Sequence, residues 1–281
     1  MTYRGRKNLE HTVSFTFLVI LAVIFLIPMA IVLINSFKSR FYISSAPFAL
    51  PNSETFVAFE NYKNGLTTSG FFLAFLRSVF VTIVSVAVII VCTSMASWFI
   101  VRVKNKFTTA MYLLFAFSMI VPFQMVMYTM TFTVSSINFD NVFGIVLVYL
   151  GFGAGLSVFM FTGFVKAIPL EIEEAAEIDG CNPLQTFFLI VFPILKPTAI
   201  TVAILNTMWI WNDYLLPYLI LGTDHKTIPV AIQIAMQGAY GSTDYGGFMA
   251  MLVLAIIPII VFYICSQKYI IKGVISGAVK G

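Results

Sequence analysis

Six apolar runs, each long enough to cross a bilayer, constrain this chain more than any other feature. They cover residues 12–37, 78–101, 107–133, 142–165, 197–221 and 246–267. About 20 apolar residues rising 1.5 Å each span the ~30 Å hydrocarbon layer. Five of the runs hold no Lys, Arg, Asp or Glu, and the fifth holds only Asp213. The expectation is an all-α polytopic membrane protein with six transmembrane helices, a single transmembrane domain over residues 1–281. Composition agrees: 60% of residues are hydrophobic, 10% are charged and the mean hydropathy is +0.97. Soluble domains sit near ~45–50% and ~25%, so too little polar surface exists here to cover a water-facing globule. A disordered chain, a collagen-like fibre and a disulfide scaffold are excluded too. Cys92, Cys181 and Cys265 are widely spaced, and no metal site is expected.

The placement of Lys and Arg sets the orientation. With a cytoplasmic N-terminus, the inner segments hold Arg4, Arg6, Lys7, Arg102, Lys104, Lys106, Lys166, Lys196, Lys268, Lys272 and Lys280. The outer segments hold only Lys38, Arg40, Lys63 and Lys226, with Arg77 at the outer edge of the second run. Both termini are therefore expected inside, and the net charge of +4 needs no nucleic-acid partner. The first run is too long for a signal-peptide core and reads as a retained anchor. Outside, the loop after the first run is long and carries Pro47, Pro51, Gly65 and Gly70. Inside, residues 166–196 form a loop too long for a mere turn. No internal repeat is visible.

That inner loop has marked helix ends. Pro169 suits a first helical turn, Glu171, Glu173 and Glu174 complement the positive end of the helix dipole, and Gly180 supplies a left-handed stop. Asn182, Pro183 and Gln185 then form a second start signal with a capping box. Leu184, Phe187, Phe188 and Val191 follow as one apolar stripe, with Pro193 and Pro197 expected to end the helix. The result is a helix–turn–helix elbow on the cytoplasmic side. It could rest on the membrane surface, or dock a cytoplasmic protein with Glu side chains offered to basic groups and Phe187 and Phe188 to a cleft.

The elbow resembles the E-A-A-x3-G-x9-I-x-L-P signature of permease subunits in binding-protein-dependent ABC importers. Glu174-Ala175-Ala176, Gly180 and Ile190-Val191-Phe192-Pro193 fill its positions, with Phe192 where Leu is usual. Trp211-Asn212-Asp213-Tyr214 with Pro217, and the tail from Gly273 to Gly281, are similar to the smaller six-span permease of maltose-type carbohydrate importers. The resemblance implies a multi-pass protein of the bacterial cytoplasmic membrane that pairs with a second permease subunit. It further implies two ATPase subunits that bind ATP and Mg, an extracytoplasmic solute-binding protein, and a sugar substrate, by family a di- or oligosaccharide. This chain would then be no enzyme and would hold no cofactor. Carried over by position, Glu174, Ala175, Ala176 and Gly180 form the coupling site, while Gly277, Ala278, Val279, Lys280 and Gly281 reach toward the ATPase interface.

Within the spans, Asp213 is the one carboxylate, at a cost of ~2.5–3.5 kcal/mol on insertion scales. With Asn206, Trp209 and Asn212 it either lines a translocation path, where amides, acids and aromatics suit a sugar, or pairs with another span and caps backbone near Pro217. Pro122, Gln124, Met125 and Tyr128 interrupt the third run, and Gly151, Gly153 and Gly155 allow close helix packing in the fourth. In the third outer loop Ile228, Ala231, Ile232, Ala235 and Met236 make an apolar stripe ahead of a polar tip. By the same resemblance, Gln237 and Tyr240 would touch the binding protein. The rival reading is an ion-coupled secondary transporter or channel subunit, which needs more interior ionisable groups than this chain has. No phosphate-binding G-x-x-x-x-G-K-[ST] loop occurs, so the energy for transport must come from another polypeptide.

Overall fold

The computed structural model describes residues 3–68, 70–237 and 244–278. Its helices are α1 (Tyr3–Asn35), α2 (Arg40–Ser45), α3 (Glu60–Thr68), α4 (Phe71–Arg102), α5 (Lys106–Ser118), α6 (Phe123–Ser136) and α7 (Val142–Val165). There follow α8 (Leu170–Ile178), α9 (Pro183–Ile194), α10 (Lys196–Asn212), α11 (Leu215–Leu221), α12 (Ile228–Gln237) and α13 (Tyr245–Ala278). Among the described residues, the β-type pairing is a single antiparallel bridge between Lys38 and Phe56. The all-α architecture follows from the apolar runs, because backbone groups in hydrocarbon must find their hydrogen bonds within the chain.

Four helices, α1, α4, α7 and α13, are each long and apolar enough to cross a membrane. Two further candidate crossings are bent pairs: α5 and α6 meet at 108°, and α9 and α10 at 76°. The run at 107–133 is thus two helices. Pro122 has no N–H to donate and holds an extended backbone (φ −63°, ψ 138°) at the entry to α6. The run at 197–221 is also divided. Its helix stops at Asn212, Asp213 is extended (φ −74°, ψ 122°), and α11 restarts the winding. In the fourth run, by contrast, α7 has the bounds read from the sequence.

The chain forms two compact units, Met1–Phe71 with Ala231–Pro258, and Phe72–Val230 with Ile259–Gly281. In the first, the segment after α1 is a folded cap rather than a loose loop. The Asn61 amide donates to the carbonyls of Ser36 and Lys38, each at 2.8 Å, and the Lys38 ammonium donates to Ala46 O at 2.8 Å. Phe37 packs on Phe56, Phe59 and Tyr62 at centroid distances of 6.2, 5.9 and 5.3 Å.

In the second unit α7 is central. Its Ile145, Tyr149, Val158, Phe161 and Val165 are buried completely. Gly153 permits this closeness: a Cβ there would stand 2.7 Å from Ile89 Cδ1 of α4 and 2.9 Å from Asn206 Oδ1 of α10. The Ser97 hydroxyl of α4 donates to Val158 O at 3.3 Å, one of the small polar contacts on which helices associate in lipid.

Candidate functional site

The elbow is built by local signals at every corner. Pro169 is the residue before α8 (φ −59°, ψ 136°), one position earlier than a first-turn proline. At the far end Gly180 adopts φ +84°, its N–H donates to Glu177 O at 3.0 Å, and the Cys181 N–H reaches back to Ala176 O at 3.0 Å. This is a Schellman stop, in which a left-handed residue lets the chain reverse over its own last turn. Two residues on, the predicted capping box forms. Gln185 N–H donates to Asn182 Oδ1 at 3.0 Å, and Asn182 N–H donates to Gln185 Oε1 at 2.9 Å.

The middle of α9, Thr186–Val191, winds as a wider π-type turn. Pro193 lies just past it, where the hydrogen-bond register changes and a missing N–H is tolerated. The helix therefore runs through Pro193, and the bend into α10 comes at Leu195.

The face of α8 that meets the protein is fixed by Glu173. Its carboxylate accepts from Arg102 Nε at 3.0 Å to both oxygens, from Arg102 Nη2 at 2.7 Å, and from Trp98 Nε1 at 2.9 Å. Arg102 Nη2 also donates to Ile168 O at 3.0 Å. Trp98 and Arg102 lie one turn apart at the end of α4, so two side chains on one face grip a single acid. Charge-assisted, forked contacts of this kind are the stronger class of hydrogen bond. The Glu173 side chain is 5% exposed and that of Arg102 is 20% exposed. Ala176, one turn beyond Glu173, is buried too. The opposite face carries Glu171, Glu174, Ala175 and Ile178, one stripe at helical spacing, and Ile178 is 86% exposed.

The residues expected to couple are thus split between two faces. Glu174 and Ala175 point outward, whereas Ala176 seats the helix on its own chain. Phe187 is a correction: it is completely buried, 5.6 Å from the Trp98 ring, and cannot be offered to a partner's cleft. Its half of the apolar stripe is consumed by the chain's own core. Phe188, stacked edge-on against Phe187 at 5.0 Å, keeps an exposed surface. Gly277 and Ala278 end α13, and Gln237 ends α12, while Tyr240, Val279, Lys280 and Gly281 lie outside the described residues.

The intramembrane set does not gather into one polar lining. Asp213 Oδ1 accepts from the N–H groups of Leu215 and Leu216 at 3.0 and 3.4 Å, capping α11, and Oδ2 accepts from the Tyr149 hydroxyl at 3.1 Å. The acid is spent on the break between α10 and α11. Asn206 is buried and donates to Ser157 Oγ at 3.3 Å and Val202 O at 2.9 Å. Trp209, edge-on to Tyr149 at 5.3 Å, and Asn212 remain exposed.

Sequence reading missed the grip of Trp98 and Arg102 on Glu173. The available signal was Arg102 closing an apolar run with an aromatic residue one turn earlier, on the same predicted side as an acid-rich helix.

Residues 67–276 match the family model described as binding-protein-dependent transport system inner membrane component, and the chain belongs to that family. It is a multi-pass membrane component of a transport system of the ABC permease class. The probable starch degradation products transport system permease of Thermoanaerobacterium thermosulfurigenes is 36% identical over 94% of this chain and 96% of its own length. The multiple sugar-binding transport system permease of Streptococcus mutans is 35% identical over 99% and 100%. The melibiose/raffinose/stachyose import permease of Bacillus subtilis is 31% identical over 91% of each chain. Among solved structures, a chain of a bacterial ABC transporter involved in import of the acidic polysaccharide alginate shares the fold, with a TM-score of 0.78 at 21% identity over 96% of this chain and 98% of that one.

Proposed function

We propose that this chain is one of two permease subunits of a bacterial ABC importer that takes up a sugar, of di- or oligosaccharide size. The observation that carries the reading is α8, locked by Glu173 to the end of α4 on one face and displaying Glu171, Glu174, Ala175 and Ile178 on the other. A short helix held in this way transmits a push without slipping. The 32 residues of α4 carry the push over ~48 Å at 1.5 Å per residue.

In this reading two partner ATPase subunits bind ATP and Mg and grip the outward face of α8 from the cytoplasm, where both termini also lie. Closure of the ATPase pair drives α8 and α4, and the pore shifts between inward- and outward-facing populations. Gly277, Ala278, Val279, Lys280 and Gly281 are assigned to the contact with the ATPases. On the other side an extracytoplasmic solute-binding protein delivers the sugar, with Gln237 and Tyr240 in the segment that meets it. Trp209 and Asn212, exposed beside the capped break at Asp213, face the pathway formed with the second permease. The names of the relatives, which cover starch degradation products, multiple sugars and raffinose-type oligosaccharides, support the substrate class.

The test is to purify the tagged full chain from native membranes. Recovery of an ATPase and a second permease, with ATP-dependent sugar uptake after reconstitution, is the expected result. A lone homo-oligomer would contradict the proposal.

A further inference from the structure

A cavity of about 840 Å³ opens beside the grip on Glu173, at the level where three helices end together. Arg102 closes α4, Lys106 opens α5, and Lys166 follows the last residue of α7. These three residues and Lys104 line the cavity, and Tyr112 forms part of its wall, with Lys166 Nζ 5.8 Å from that ring's centroid. Among the described residues, no carboxylate lines it. Arg102 is already committed to Glu173, but Lys104, Lys106 and Lys166 are exposed, and among the described residues no ion pair engages them. Below the cations the wall turns apolar, with Ile100 and Leu113.

Three uncompensated lysines around one opening repel each other unless an anion joins them. Because the surrounding helices are membrane-spanning candidates that end here, the opening lies at the lipid–water boundary. A ligand matching it carries a negative phosphodiester at the cations and hydrocarbon along the wall below. Basic pockets between transmembrane helices at this depth hold anionic lipid headgroups. We infer that this cavity is a binding site for the headgroup of an anionic phospholipid. The bound lipid lies against the back of Arg102, the residue that holds the coupling helix.

The test uses the full chain with whatever subunits copurify. It is reconstituted in phosphatidylcholine nanodiscs with or without 20% phosphatidylglycerol, and retained lipid is counted by native mass spectrometry. The wild type is expected to keep one phosphatidylglycerol at this site. Each lysine near an anionic lipid contributes roughly fivefold in affinity. The triple variant Lys104→Gln, Lys106→Gln, Lys166→Gln should therefore bind that lipid roughly a hundredfold more weakly. A control pair outside the cavity, Lys63→Gln with Lys196→Gln, should retain it. The thermal midpoint in pure phosphatidylcholine, equal for wild type and triple variant, shows that the fold is intact. Equal lipid retention by the triple variant overturns the inference. So does displacement of phosphatidylglycerol by millimolar inorganic phosphate or glycerol phosphate, which would make the site one for a soluble anion.

Discussion

Glu173 and Asp213 are both carboxylates withdrawn from water in a mostly apolar molecule, and they are held in opposite ways. Glu173 is gripped by a cation and an indole from another helix, so the bonds join two separate elements. Asp213 spends one oxygen on the backbone just ahead of it, capping α11, and the other on the neutral Tyr149 phenol of α7, so it shapes a break in one span and ties that break to its neighbour by a single uncharged donor. An ion pair between elements can carry a force from one to the other. A cap can only set where a helix begins. In the proposed mechanism the first acid serves transmission, whereas the second matches the structural alternative of pairing with another span and capping backbone that the sequence offered.

The largest expected effect falls on the first region. Arg102→Leu leaves Glu173 buried without its cation, a loss of about 3–5 kcal/mol. Sugar uptake, normalised to the amount of chain in the membrane, should fall at least about tenfold, well beyond the effect of Glu173→Gln, which keeps the side chain's shape and an acceptor. Equal losses in the two variants would break the distinction between an ionic grip and simple packing.

Next in size is Gly180→Val. The residue sits at φ +84°, and a Cβ added there would meet nothing within 4 Å. The penalty is therefore backbone strain, about 1–2 kcal/mol, rather than a clash. ATP hydrolysis by the assembly should persist while uptake is lost. Wild-type transport would detach the elbow from coupling.

In the second region, Tyr149→Phe removes one hydrogen bond to Asp213, worth about 1 kcal/mol. It should lower the thermal midpoint of the purified assembly slightly and leave transport nearly intact. A collapse of uptake at an unchanged midpoint would instead put the Tyr149–Asp213 pair in the pathway. Smallest of all, Gly151→Ala on α7 meets open space within this chain and should change stability by less than about 0.5 kcal/mol. A larger loss in the intact complex would place another subunit against that face.

Local signals were legible in the sequence, and long-range ones were not. The Gly180 stop and the Asn182–Gln185 box depend on residues within one turn of each other, and both form where the pattern placed them. The long apolar runs likewise gave α4 and α7, because hydropathy alone decides a helix in lipid. Glu173 and Arg102 stand 71 residues apart, and nothing in a periodic pattern pairs one acid of an acid-rich helix with one cation of several. Pro122 marked an interruption of the third run in the sequence, but hydropathy, which counts an interrupted span the same as a continuous one, hid the complete separation into two helices there and the break at Asp213. Phe187 reads as a partner contact in the sequence because an apolar stripe does not say whether its own chain or another covers it.

The most direct test places a cysteine at Ile178, the most exposed apolar residue of α8, in an otherwise cysteine-free chain in native membranes, and treats it with a short bifunctional crosslinker. The account predicts a product with a nucleotide-binding subunit whose yield changes when ATP is added. A product confined to this chain's own helices or to lipid, unaffected by ATP, would contradict it.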